Sequence, residues 1–367
     1  MMSVKEKIKR IRELLREKDL DGVLLRKRRS FSWLTNGRAN YIFTSTELGV
    51  ADLLIFEDRV YCITTKMEFA RMQEEELSDL EIEWITPEWF EGHLKAIDNL
   101  CQRKKMGTDV CPETIPLSAG IDLSKEIAEL SYVLSLGEIE RYRWLSQSVA
   151  RALEMTCRQI ERGMSEFEIQ ALLTSKIICL GIQPQVLLVA TDQRIYKYRH
   201  PVPTEKKLEN YAMLVLCGEK WGLVVSATRF VHFGPISEEL QQNKRKLLEI
   251  DLAFNLATRP GVPIKDVFQQ GIEVYSKMGY KEDWRSLHQG GPTGYAAREF
   301  LANLDSEGMV LEHQAFAWNP SLKGIKSEDT ILVTGNGPEF LTHTGEWEYM
   351  QMEKNGQIYL RPDILIR

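Results

Sequence analysis

The chain has 367 residues, 43% of them hydrophobic and 27% charged, with a formal net charge of -6 and an isoelectric point near 5.7. That length holds one to three domains with sizeable cores, and the composition is that of a globular protein with no apolar run long enough to cross a membrane. The acidic balance argues against nucleic acid as a partner, because the one basic run, "RKRRS" at 26–30, is short and isolated.

The first stretch, "MMSVKEKIKRIRELL", is charged and has no signal-peptide core, so a cytoplasmic address is expected. Val4, Ile8, Ile11 and Leu15 share one helical face and predict an amphipathic helix. "DGVLL", "GVADLLIF" and "RVYCITT" read as strands, "TKMEFARMQEEEL" as a helix and "IEWIT" as another strand. This α/β unit closes in the loop-like stretch "CPETIPLSAGID" at 111–122. A long helical stripe then runs through Ile139, Tyr142, Leu145, Val149, Leu153 and Ile160. Ser165 with Glu168 marks a capping box for the next helix, which stops at Gly181. Strands are expected at 212–217 and 222–233. The plan then recurs, with a helix after Ser237, a stop at "RPGV" (259–262), a helix to Gly279, and strands at "GMVLEHQAFAW" and "DTILVT". The repeated order suggests two similar halves in one α+β domain. The six cysteines are widely spaced with no CxxC pair, and buried reduced thiols are expected of them.

The segments "LGEIERYR" (136–143), "RHPVPTEKKLENYAMLV" (199–215), "GLVVSATRFVHFG" (222–234), "GMVLEHQAFAWNP" (308–320) and "GIKSEDTILVTGNGPEFLT" (324–342) stand in one order and spacing over most of the C-terminal region. In that order the region resembles the creatinase, aminopeptidase P and prolidase family. The resemblance implies an α/β N-terminal domain over 1–128, followed by an α+β pita-bread domain over 129–367. It also implies a homodimer, in which "TNGRANY" (35–41) brings Arg38 or Tyr41 to a neighbouring cleft. Peptidases of this family hold two metals with two aspartates, one histidine and two glutamates, and the metals turn a bridging water into hydroxide. Carried onto this chain, the first aspartate falls at Val215 or Leu216, the second at Ser226, the histidine at Gly291 and the first glutamate at Gln314. Only the last glutamate survives, as Glu328. One carboxylate cannot neutralise two dications, so no metal and no other cofactor is expected.

Metal-free chemistry exists in the family, since creatinase uses a histidine as acid and base. "HPVPTEK" puts His200 at that histidine's place. An imidazole of near-neutral pKa can take a proton from water and return it to a leaving nitrogen; a surface histidine before Pro201 is the plain alternative. Glu328 is the expected catalytic partner. Arg229, His288, Arg298, Glu299, Lys326 and Gln314 are candidate substrate-binding residues, with the arginines as anion binders. For Arg229 the alternative is a structural ion pair, with Glu328 as the candidate partner. His232, of opposite strand parity to Arg229, is expected to face away from the cleft. The run "GGPTG" is expected as a tight turn or as a backbone cradle for a carboxylate. Two functions follow. One is a metal-independent hydrolase cleaving a C–N bond in a small polar or anionic molecule or short peptide. The other is a non-catalytic pseudo-peptidase that binds a ligand or peptide, like the peptidase-like domain of a histone chaperone.

Overall fold

The structure is a computed structural model and describes residues 2–115, 117 and 120–367. The chain divides into two compact units: Met1–Ser131 with Ser135–Glu138 and Trp221–Leu223, and Tyr132–Leu134, Ile139–Lys220 and Val224–Arg367. Among the described residues no helix is long and apolar enough to cross a membrane.

The first unit runs α1 (Val4–Glu17), β1 (Gly22–Lys27), α2 (Arg28–Leu34), β2 (Leu48–Phe56), β3 (Val60–Thr64), α3 (Lys66–Arg71), β4 (Glu83–Ile85), α4 (Leu94–Cys101), β5 (Met106–Thr108), β6 (Gly120–Asp122) and α5 (Ser124–Leu130). Its six strands form one sheet in the order β4-β3-β2-β1-β5-β6. Helix α1 starts in a capping box between Ser3 and Glu6 and buries Ile11, Leu14 and Leu15. The basic run proves to be structural rather than an isolated patch. It ends β1 and opens α2, where Arg26 meets the buried Asp52 at 3.2 Å and the Arg28 guanidinium lies 4.4 Å from the centre of the Tyr41 ring. Arg38, expected to reach a neighbouring cleft, is committed within its own chain, donating to both carboxylate oxygens of Asp79 at 2.9 Å and to the Glu76 carbonyl. The loop expected at 111–122 includes residues 116, 118 and 119, which lie outside the described residues; its end is strand β6.

The second unit carries α6 (Leu136–Gln159), α7 (Glu166–Ile178), β7 (Gln183–Thr191), α8 (Gln193–Lys197), β8 (Tyr211–Lys220), β9 (Leu223–His232), α9 (Glu238–Ala257), α10 (Ile264–Lys277), β10 (Gly290–Thr293), β11 (Ala315–Trp318), β12 (Ser321–Leu322), β13 (Ile325–Lys326), β14 (Asp329–Thr334), β15 (Gly337–Phe340), β16 (Tyr349–Lys354), β17 (Gln357–Pro362) and β18 (Ile364–Ile366). The helix, helix, strand order occurs twice, and it builds two four-stranded sheets, β18-β9-β8-β7 and β10-β11-β14-β15. The capping box at Ser165 and Glu168 is formed. The glycine run corrects the expectation of a turn or nest. Gly290–Thr293 is a strand, paired residue by residue with β11 from Gly290 opposite Trp318 to Thr293 opposite Ala315. The same amides that would cradle an anion are therefore spent largely on the sheet.

Trp318 belongs to the core. It stacks on Phe254 with ring centres 4.9 Å apart and donates its indole N–H to Thr258 at 2.9 Å. Gly271 of α10 lets that helix approach α9 closely, since a Cβ at 271 would lie 2.2 Å from the Phe254 ring. Phe254 is pinned by Trp318 and Phe268, so it has little room to give. Gly271→Ala is therefore expected to destabilise the protein by about 1–2 kcal/mol in chemical denaturation, although alanine is the better helix former.

Candidate active site

Strand alternation on β8 and β9 decides which side chains reach the site. A Cβ on Gly218 would lie 2.7 Å from Val149 of α6, so the even-numbered residues of β8 face that helix. The odd-numbered residues face the other way, where Cys217 Sγ meets Ser226 Oγ at 3.2 Å and Tyr211 stacks on Phe230. Of the two places for the first lost aspartate, Val215 shares this face and Leu216 turns to α6. On β9 the even-numbered Ser226 and Thr228 line the site.

Glu328, between β13 and β14, is the centre of the arrangement. Its side chain is 3% exposed and accepts from Arg298 Nη2 at 2.8 Å, Lys326 Nζ at 2.8 Å and Thr228 Oγ1 at 2.7 Å. Burial alone would raise its pKa, but Lys326 and Arg298 outweigh burial and hold it at about 2. The Arg298 guanidinium also donates from Nη1 to Ser226 Oγ at 3.0 Å, so it bridges two positions at which the family carries acidic ligands. Lys326 takes the other oxygen of Glu328.

His200 and His288 stand together beside these cations, with ring centres 5.7 Å apart. His200 is exposed to solvent, and His288 is partly buried. Burial and then Lys326 lower the His200 pKa, against a smaller opposite pull from Glu328. Burial, Arg298, Lys326 and His200 push His288 down to about 4. Both imidazoles are accordingly neutral at neutral pH.

Three candidates have other duties. Gln314 is buried and its Oε1 accepts the Leu311 N–H at 3.1 Å, closing its own turn. Glu299 Oε1 accepts the Tyr295 N–H at 3.0 Å and shapes the loop after β10. Arg229 corrects the expectation of an anion binder. It is 1% exposed, points to the α6 side, and is used by Asp329 Oδ1 at 2.9 Å, the Thr342 carbonyl at 2.7 Å and Glu154 at 3.5 Å. Its ion pair is with Asp329 and Glu154, not Glu328. The expectation for His232 is corrected by the same alternation, for it lies on the face of Ser226 and Thr228. It ends that row against Tyr211, with Nδ1 2.8 Å from the Gly234 carbonyl.

Gly291 is closed to any side chain. A Cβ there would lie 2.7 Å from the Phe300 carbonyl oxygen and 3.0 Å from the Ala302 nitrogen, and its φ is +150°. A histidine at this position collides with backbone, so the metal-ligand place has been filled as well as vacated.

A family model described as metallopeptidase family M24 matches residues 140–335, and one described as the creatinase/prolidase N-terminal domain matches 7–144. The chain belongs to metallopeptidase family M24. An uncharacterized peptidase of Staphylococcus haemolyticus is 28% identical over 233 residues, 60% of this chain and 66% of that relative. The match to the first curated relatives thus spans just under two thirds of their length. A Xaa-Pro dipeptidase from Bacillus anthracis superposes with a TM-score of 0.78 at 21% identity over 100% of both chains. The N-terminal domain of the FACT complex subunit SPT16 from chickpea (Cicer arietinum) gives a TM-score of 0.72 at 12% identity, covering 94% of this chain and 96% of that one. These likenesses establish the fold: a creatinase-type α/β domain followed by an M24 pita-bread domain.

The donor set of this M24 chain does not fit the two-metal centre that the family name implies. Val215, Ser226, Gly291 and Gln314 supply no anionic or imidazole ligand, and the one carboxylate already holds two cations. Among the described residues no three His, Cys, Asp or Glu side chains are grouped to hold a metal. The charge on Glu328 has a measurable consequence. Its folded pKa is depressed, so its contribution to stability is complete above the ordinary pKa of 4.5 and is lost as pH falls through about 2. Wild type should exceed Glu328→Gln by about 3 kcal/mol near pH 7, and the gap should narrow steadily below pH ~4.5 in urea unfolding.

Proposed function

We propose that this M24 protein is a metal-independent hydrolase acting on a C–N bond of a small polar or anionic molecule or short peptide. The observation that carries the reading is the occupation of both Glu328 oxygens by Arg298 and Lys326. Two fixed side-chain cations stand on the carboxylate that the family's metals would use. They keep Glu328 ionised, so its role is to hold those cations rather than to carry a proton.

Proton transfer then falls to the imidazoles. His200 is exposed at the site and neutral at neutral pH, the form that accepts a proton from water as the water attacks the carbon of the C–N bond. The imidazolium so formed returns the proton to the leaving nitrogen. His288 stands beside it, with ring centres 5.7 Å apart. Arg298 and Lys326 favour the negative charge that develops on the attacked group.

One observation favours a second reading, a pseudo-peptidase that binds without turnover. No side-chain hydrogen bond orients the exposed His200 ring among the described residues, whereas catalytic imidazoles are commonly held by a partner. The SPT16 N-terminal domain shares this fold.

The two separate by experiment. In the presence of EDTA, a panel of small amides, amidines and dipeptides should yield a substrate whose hydrolysis persists. His200→Ala should then lower kcat by about 10²–10⁴-fold with an unchanged melting temperature. Turnover that His200→Ala leaves intact contradicts the mechanism, and absence of turnover across the panel favours the binding module.

A further inference from the structure

We infer that the cleft formed by Arg298, Lys326, His288 and His200 is a seat for a monoanion, specifically a carboxylate group carried by the ligand. This deepens the proposed function by naming the ligand class, and it rests on that reading only in taking this cleft as the ligand site.

Charge is the first support. Charges of both signs bear on His288: Arg298 and Lys326 are positive and Glu328 is negative. Glu328 is engaged by the two cations and Thr228, so Arg298 and Lys326 share this one carboxylate in a largely buried setting. An unbalanced buried charge is costly, and a bound anion removes that cost.

Unused donors are the second, independent support. The Arg298 side chain is 9% exposed, yet its Nε, always a donor, is buried without a hydrogen-bond partner. His288 Nδ1 is likewise buried without one, and the neutral imidazole can present a proton there. Buried donors are rarely left unpaired in native proteins, so two in one cation-lined cleft point to an absent acceptor. A carboxylate offers two acceptor oxygens on a single negative charge. The anion would thus sit against the two side-chain cations that stand on the carboxylate the family's metallopeptidases give to metal.

The test uses the full-length protein with its histidine rings followed by NMR at pH 7.5, titrated with sodium acetate against sodium chloride and sodium sulfate at equal ionic strength. Acetate should shift the His288 and His200 resonances saturably, with half-saturation at millimolar concentration, and chloride should not. His288→Ala, which leaves the Glu328 contacts intact, should weaken acetate binding about three-fold or more at unchanged melting temperature, with His200 as the reporter. Arg298→Lys, which keeps the charge but lacks Nε, should weaken it about ten-fold. Equal shifts with chloride, undiminished binding in both variants, or tighter binding of sulfate than acetate would overturn the proposal. Because no turnover is measured, acetate binding in a protein with no hydrolase activity sinks the catalytic reading while leaving this one standing.

Discussion

One buried carboxylate held by two side-chain cations organises this protein's site. Glu328 is sunk between Arg298, Lys326 and Thr228, and each contact comes from a different part of the second unit. Lys326 arrives on β13, Thr228 on β9, and Arg298 on the loop after β10. Removing the carboxylate leaves two cations stranded in a medium that penalises them by several kcal/mol, so the three segments are held in register by electrostatics as well as by packing. The same constraint explains the closed space at Gly291. With Phe300 and Ala302 drawn against that glycine, the loop that delivers Arg298 runs through the volume a histidine would need.

Behind this site a second charged network keeps the strands rigid. Asp329, next to Glu328 in sequence but on the opposite face, accepts from Arg229, from Thr342 and from Arg361, and Arg361 in turn reaches Asp251 of α9. Arg229 and Asp329 are paired tightly enough that the Asp329 carboxyl lies far below the usual carboxylate range despite its burial. Arg361 also donates to His343 Nε2 at 3.0 Å, which fits a neutral imidazole whose pKa burial has lowered. The consecutive pair Glu328–Asp329 therefore splits its work: one carboxylate serves the cleft and the other ties β9, β14, β17 and α9 together.

Much of this was legible in the sequence because it depends on local pattern. The doubled helix, helix, strand order, the capping box at Ser165 and the identity of Glu328 as the surviving acid all rest on spacing or on a short motif. Lys326 and Arg298 stand in motifs beside Glu328 and Gly291, but their meeting through Glu328 is not legible, because 28 positions of loop and strand separate them and only the fold brings them together. Arg229 was misjudged because its motif marks the residue and not the face. Once Ser226 and Thr228 are seen to line the cleft, the odd-numbered arginine has to lie behind it. Arg361 and Asp251 carry no motif at all, and their pairing is a purely tertiary event. The glycine run misled for a related reason: glycine suggests a turn locally, whereas here it permits close backbone approach inside a sheet.

The central claim is that side-chain cations have taken over the electrostatic place of metal ions in this fold. Calorimetric titration of chelator-treated, refolding-competent protein with Mn²⁺ at pH 7.5 tests it most directly. The account predicts no saturable heat at micromolar to low-millimolar metal, for wild type and for Gln314→Glu alike, since restoring one carboxylate neither opens the space at Gly291 nor displaces Arg298 and Lys326. Binding of about two Mn²⁺ per chain with micromolar affinity would contradict it.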